Sequence, residues 1–394
     1  MVAIIRILGV DNYGIYAYYL TISTLLGIIA EFGTKDIFKR EYLRSDTGSK
    51  GAAQHQFMWI RLPAAILSAA VAIVFYLIYG DDFFIYYSLI YILSPLRVYE
   101  HTLESEYRNG LINIVRTVVL SLSAMIKLFV LDYTKDFNWV AAVTLVEYAL
   151  LMLVFSSISR SCVLPVSIPY GLNTKHLKNA LLILFPTIIS MIGGRIYVLI
   201  SYNLLEPRDT GVLAFSNRLF EVAILPLQAT SAVLVVALVN LNSKENVFSF
   251  SESIYRMTFY LYLLGVGGYY LFGDDVLSLV LSEESLAVHE FFKIYILLLP
   301  FWSLLGIINV CYVVNNLEKT LAIRGAVSLV INTASCFIMI GFFGLYGVII
   351  SFVISYILID IIMIFISRNS MNEVKIRYKC LLSFWKLRED FART

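Results

Sequence analysis

The chain has 394 residues, 59% of them hydrophobic and only 15% charged, with a formal net charge of +2 and a mean hydropathy of +0.80. Soluble domains run at roughly 45–50% apolar and about 25% charged residues, and a chain this long folded in water would still expose much of its surface. Ordinary water-soluble domains are therefore excluded, and the near-neutral charge gives no basis for a nucleic-acid partner. Cys162, Cys311, Cys336 and Cys380 form no C-x-x-C pair and read as small apolar filler. His55, His101, His176 and His289 show no metal-ligand spacing, so no cofactor or metal is expected.

In chain order, the opening apolar stretch 1–9 looks like the last third of a membrane span. It is too short for a cleavable signal peptide and runs into a polar turn. Apolar runs near the roughly 20 residues that cross hydrocarbon then follow at 15–32, 57–79, 83–96, 111–131, 139–158, 180–202, 212–240, 257–272, 291–314, 322–343 and 345–366. They are continuous rather than alternating with period 2, which predicts helices and not a barrel. Ser94-Pro95 should kink or end the short third run.

Charge sets an expected orientation, because cytoplasmic loops collect Lys and Arg. Every second connection holds Lys35, Lys39, Arg40, Arg44 and Lys50, then Arg97, Arg108 and Arg116, then Arg160, Lys175 and Lys178, then Lys244 and Arg256, then Lys319 and Arg324. The opposite connections hold Lys135, Arg208 and Lys293 beside Asp81, Asp82, Asp274, Asp275, Glu283, Glu284 and Glu290. The bias predicts a cytoplasmic C-terminus. The tail from Arg368 sets Tyr378, Leu381, Leu382, Phe384, Trp385 and Leu387 among basic residues, the pattern of an interfacial amphipathic helix.

The chain also echoes itself. Leu8-Gly-Val-Asp-Asn-Tyr-Gly14-Ile-Tyr-Ala17-Tyr is similar to Leu205-Glu-Pro-Arg-Asp-Thr-Gly211-Val-Leu-Ala214-Phe, and Tyr79-Gly-Asp-Asp82 to Phe272-Gly-Asp-Asp275. Both pairs read as outer turns, in matching order and at nearly equal separation. They predict a parallel repeat about an axis along the membrane normal, a build that transporters use with substrate between the halves. The expected organisation is an N-terminal helical lobe over 1–160 with an incomplete first helix, a cytoplasmic linker over 161–178, a C-terminal lobe over 179–366 and a basic cytoplasmic tail over 367–394. The expected fold class is all-α, a polytopic membrane protein with about eleven complete transmembrane helices and a partial first one.

The Leu8–Ala17 turn, Glu31-Phe-Gly33 with its basic loop, the second copy at Glu206 to Ala214, and Phe272-Gly-Asp-Asp with its aliphatic sequel together resemble polysaccharide flippases. These are the O-antigen (Wzx-like) branch of the multidrug/oligosaccharidyl-lipid/polysaccharide exporter superfamily. The resemblance runs over almost the whole chain on soft, family-level motifs. It implies twelve helices in two six-helix lobes, with no catalysed reaction. The implied activity is translocation of an undecaprenyl-diphosphate-linked oligosaccharide from the cytoplasmic to the periplasmic leaflet of the bacterial inner membrane. Membrane lipids and polysaccharide polymerase machinery are the implied partners. The family's first helix is complete, whereas this chain enters at its outer end, as an upstream start or a truncated gene would produce.

Such a transporter must shelter a diphosphate, and charges inside spans mark candidate pathways. Arg195 and Arg218 sit at about the same depth on consecutive spans, as diphosphate or acidic-sugar contacts. Glu221, three residues after Arg218, is the counter-charge or coupling group. Glu147 and Asp360 are further candidates, each also readable as an interhelical hydrogen-bonding residue. Arg61 and Lys127, near span ends, should snorkel to the headgroups. Asn217, Gln228, Asn309 and Asn332 could meet sugar hydroxyls or glue helices together. The Gly-Asp-Asp turns could hold a divalent cation in a polyprenyl-dependent glycosyltransferase or polymerase, but their duplication favours plain turn chemistry. A multidrug exporter of the same superfamily is the other alternative, and its preference for organic cations calls for an acidic cavity.

Overall fold

The computed structural model describes residues 2–46, 49–159, 174–239, 244–280, 286–314, 318–366, 374, 375 and 377–379. Among them there is no strand. A backbone in hydrocarbon must satisfy its own hydrogen bonds, which these apolar runs do by coiling. The helices are α1 (Val2–Glu31), α2 (Lys35–Arg44), α3 (Lys50–Tyr79), α4 (Phe83–Leu93), α5 (Val98–Ser105), α6 (Asn109–Thr134) and α7 (Asn138–Ile158). They continue as α8 (Thr174–Leu204), α9 (Pro207–Val239), α10 (Lys244–Val280), α11 (Leu286–Tyr295), α12 (Leu299–Val314), α13 (Glu318–Phe343) and α14 (Tyr346–Ile366). Each predicted span falls on one of them, the 291–314 run being shared by α11, a 3-10 turn (Ile296–Leu298) and α12. Among the described residues eight helical stretches are long and apolar enough to cross a membrane.

The breaks have local causes. Ser94-Pro95 ends α4 in a 3-10 turn (Ser94–Arg97), as a proline without an N–H requires. Gly80 closes α3 in the left-handed region and donates its N–H to Tyr76 O. Within α1 the helix is interrupted at Gly9, with φ 75 and ψ 167; the aligned position in the second half, Glu206, lies in the break between α8 and α9. Gly14 and Gly211 both lie inside helices rather than closing turns. The second Gly-Asp-Asp corrects its predicted form: Gly273, Asp274 and Asp275 are helical within α10, because the apolar residues that follow carry the helix on to Val280.

The chain forms two compact units, Ala3–Ile192 and Gly193–Thr394, the latter including Met1–Val2, so the division falls inside α8. In the first unit α3 packs on α4, α4 on α7, α6 on α7 and α2 on α5. At its basic end Phe38, Phe57, Met58, Val98, Leu103 and Phe155 are the centre of a hydrophobic core. The α1–α2 corner is drawn in tightly there. Gly33 has φ +59, and a Cβ on it would stand 2.8 Å from Ala180 O and 2.9 Å from Leu184 N, so only glycine permits this approach.

At the opposite, acidic end, Tyr16, Tyr19, Phe83, Phe84 and Phe137 interlock through ring contacts. Tyr19 donates to Asp81 at 2.5 Å. These tyrosines are buried and pack the unit rather than line a sugar path. In the second unit α9, α10 and α13 pack on α12, α11 packs on α9, and α13 on α14. The turn into α14 is so close that a Cβ on Gly347 would lie 2.1 Å from Met339 O.

Candidate functional site

The arginine pair and its carboxylate belong to the second unit. Arg195 lies on α8, two residues beyond the division, and Arg218 and Glu221 lie one turn apart on α9. Arg218 Nη1 donates to Glu221 Oε2 at 2.6 Å, and Asn217 Nδ2 donates to Glu221 Oε1 at 3.2 Å. Tyr295 on α11 donates its hydroxyl to Asn217 Oδ1 at 3.3 Å. Tyr197, one helical step from Arg195, engages Asn217 too and feels the charges of Arg195, Arg218 and Glu221 together. The six polar residues therefore share one electrostatic neighbourhood. The pairing that the spacing of Arg218 and Glu221 predicts is present.

The charge count of this neighbourhood matters. Two guanidinium groups face one carboxylate, and among the described residues Arg195 makes no hydrogen bond or ion pair. Side-chain exposures of 27% for Arg218 and 47% for Glu221 leave both reachable by a ligand. An exposed i,i+3 pair contributes only a few tenths of a kcal/mol to folding. Its charges are thus inexpensive to redirect.

Glu147 and Asp360 sit in different surroundings. Glu147 on α7 accepts from Lys127 Nζ at 2.6 Å and from the Ser123 hydroxyl, both on α6, forming an interhelical clamp in the first unit. Lys127 thus departs from its expected snorkelling, since a carboxylate within reach holds an ammonium better than a detour to the headgroups. Asp360 on α14 is buried and accepts from Arg324 Nη2 at 3.1 Å, Arg377 Nη2 at 2.9 Å and Tyr378 OH at 3.3 Å. Arg377 also donates to Tyr356 OH at 2.7 Å and lies over both tyrosine rings. The predicted tail helix lies mostly outside the described residues, but its Arg377 is wholly buried, not laid on an interface. Of the candidate sugar contacts, Asn332 donates to Ser328 on its own helix, while the Gln228 and Asn309 side chains lie outside the described set.

A polar network at the basic end of the first unit escaped the sequence. Glu31 takes Arg97, and Glu100 takes both Arg97 and Arg116. Arg61, expected to snorkel, is instead wholly buried and donates Nε to the Thr34 hydroxyl at 2.5 Å, because α2 and α5 cover the start of α3. On α5, beyond the end of the membrane-crossing stretch, His101 pairs with Glu104 at 3.2 Å, and Lys39 with Glu104 at 2.8 Å. Burial pushes the His101 imidazole down to about 3. The hydrogen bond from His101, helped by Lys39 and Lys35, holds the Glu104 carboxyl well below the usual range. No local signal marked these residues. Each looks like one more loop or span-end charge until packing brings six segments together.

Known structures match over nearly the full length. An inward-facing multidrug resistance MATE family transporter of the MOP superfamily aligns with a TM-score of 0.68 at 15% identity, covering 95% of each chain. The lipid II flippase MurJ in an inward closed conformation aligns with a TM-score of 0.68 at 17% identity, covering 97% of this chain and 90% of its own. The fold is that of the MOP-superfamily transporters. A MOP transporter from Pyrococcus furiosus, described as having a binding pocket of reversed polarity that suggests a different function, also aligns (TM-score 0.54, 14% identity, 98% and 88% covered). No protein-family model and no curated protein sequence matches the chain. The MOP fold thus rests on backbone geometry, and the structural neighbours that share it are transporters and flippases.

Proposed function

We propose that the chain carries an undecaprenyl-diphosphate-linked oligosaccharide, an O-antigen or other surface polysaccharide unit, from the cytoplasmic to the periplasmic leaflet of the bacterial inner membrane. The mechanism is alternating access, with the prenyl tail remaining in lipid. The observation that carries this reading is the surplus positive charge around Arg195, Arg218 and Glu221. An anionic diphosphate completes that set; an organic cation does not. Outward movement of negative charge across an inside-negative membrane also gains roughly 2.3 kcal/mol per charge per 100 mV. Asp81 is engaged by Tyr19 at 2.5 Å, which suits turn chemistry better than cation-assisted glycosyl transfer.

The multidrug alternative draws on the MATE likeness, equal in score to that of the lipid II flippase, so polarity and not fold separates the two. The test is transport in proteoliposomes by Arg195→Gln/Arg218→Gln. Hydrogen bonds to charged groups are worth about 1.5–3 kcal/mol each, so losing two should weaken handling of the diphosphate roughly 100- to 10,000-fold. Membrane insertion and melting should stay close to wild type. Undiminished flipping by the stably inserted double variant would overturn the assignment, and export of organic cations by the wild type would favour the alternative.

A further inference from the structure

The arginine part of the network at the basic end of the first unit is short of one acceptor. Arg61, Arg97 and Arg116 carry three positive charges, and Glu31 and Glu100 carry two negative ones. The shortfall falls on Arg61, whose Nη1 and Nη2 are buried without a hydrogen-bond partner while its Nε is held by Thr34. A buried guanidinium left this way is costly. Within electrostatic reach of Arg61 lie the Tyr148 hydroxyl and Glu100, and of these Glu100 is the carboxylate, nearly buried. Glu100 is committed elsewhere: Oε2 accepts from Arg97 Nε at 3.1 Å and Oε1 from Arg116.

The two arginines that hold Glu100 lie at the open edge of the network, with side chains 32% and 38% exposed, whereas Glu100 is 4% exposed. Two forked guanidinium groups at a surface match the oxygens of a phosphate, which accepts bidentate hydrogen bonds from each. A phosphate there would take over Arg97 and Arg116 and free Glu100. We propose that this edge binds one phosphate group, and that Glu100 then transfers to Arg61. Outer ligand and inner ion pair exchange, so occupancy at the surface completes the interior of the unit. The residues lie at the end of α1, the 3-10 turn after α4 and the first turns of α6, at the rim of the membrane-crossing helices. Either a phospholipid headgroup or free phosphate could supply the group.

The test uses the full chain in maltoside micelles, whose detergent carries no phosphate. One arm adds phosphatidylglycerol, and the other adds inorganic phosphate at constant ionic strength. Melting temperature is followed in both arms, and retained phosphatidylglycerol by native mass spectrometry. A rise in melting temperature with phosphatidylglycerol alone identifies a headgroup, and a rise with phosphate in lipid-free micelles identifies the free anion. Glu100→Gln, which removes the internal competitor, should bind at least tenfold more tightly. Arg61→Met, which leaves the displaced carboxylate nowhere to go, should bind at least tenfold more weakly although Arg61 never meets the ligand. Should Arg61→Met not fold, Glu100→Gln decides alone. The proposal fails if neither arm raises the melting temperature, or if Glu100→Gln binds no tighter than wild type.

Discussion

Asp360 offers the sharpest test of how the second unit is held together. Its carboxylate neutralises two arginines whose side chains are 8% and 0% exposed, at 3.1 and 2.9 Å. Asp360→Asn keeps the shape and removes the charge, leaving both buried guanidinium groups without their shared carboxylate. Breaking a buried pair from one side costs about 3–5 kcal/mol, which for a unit of this size lowers the melting temperature by roughly 6–20 °C. The assay is the thermal stability of the detergent-purified protein, read by the loss of its monodisperse chromatographic peak. The triple change Asp360→Leu/Arg324→Met/Arg377→Met removes all three charges together. It should recover most of the loss, because well-packed apolar groups replace buried ion pairs at little cost. A fall below about 2 °C for Asp360→Asn, or a triple variant no more stable than the single one, would refute the argument.

Two further outcomes follow from local geometry. Gly347→Ala should destabilise the protein by about 1–3 kcal/mol or more, since its Cβ meets the Met339 backbone at 2.1 Å. Gly344→Ala, with open space but φ +58, should cost about 1–2 kcal/mol; equal melting losses would contradict the close turn. Acidification should weaken the first unit. Unfolded His101 takes a proton near 6.5 while the folded imidazole stays neutral down to about 3, so the unfolded chain binds more protons and stability falls as pH drops. By pH 5 this amounts to about 2 kcal/mol. Glu104, held low in the folded state, adds its own loss at still lower pH. A melting temperature that is flat between pH 7 and 5, or unaltered in its pH slope by His101→Asn, would reject this.

The transmembrane helices were legible because hydrocarbon imposes one requirement on every span, and runs such as 111–131 meet it without help from elsewhere in the chain. The Arg218–Glu221 pair was legible for a similar reason: three residues on a helix are neighbours whatever surrounds them. Burial was not legible. Arg61 and Arg97 read as ordinary basic loop or span-end residues because charge statistics average over position, whereas their partners come from α1, the α1–α2 corner and α5. Arg377 and Asp360 are 17 residues apart, with the end of a span between them, so no periodicity links them. The second Gly-Asp-Asp misled because the same three residues suit a turn or a helix, and only the neighbouring turns of α10 decide.

α8 contributes several turns to each unit. It packs against the Gly33 corner of the first unit and ends among the polar residues of the second, and the boundary crosses it between Ile192 and Gly193, just before Gly194. A continuous helix is a stiff splice, and it yields most readily where side chains offer least resistance. Two successive glycines make 193–194 the stretch of α8 that bends at least cost, a length of backbone bearing no side chain.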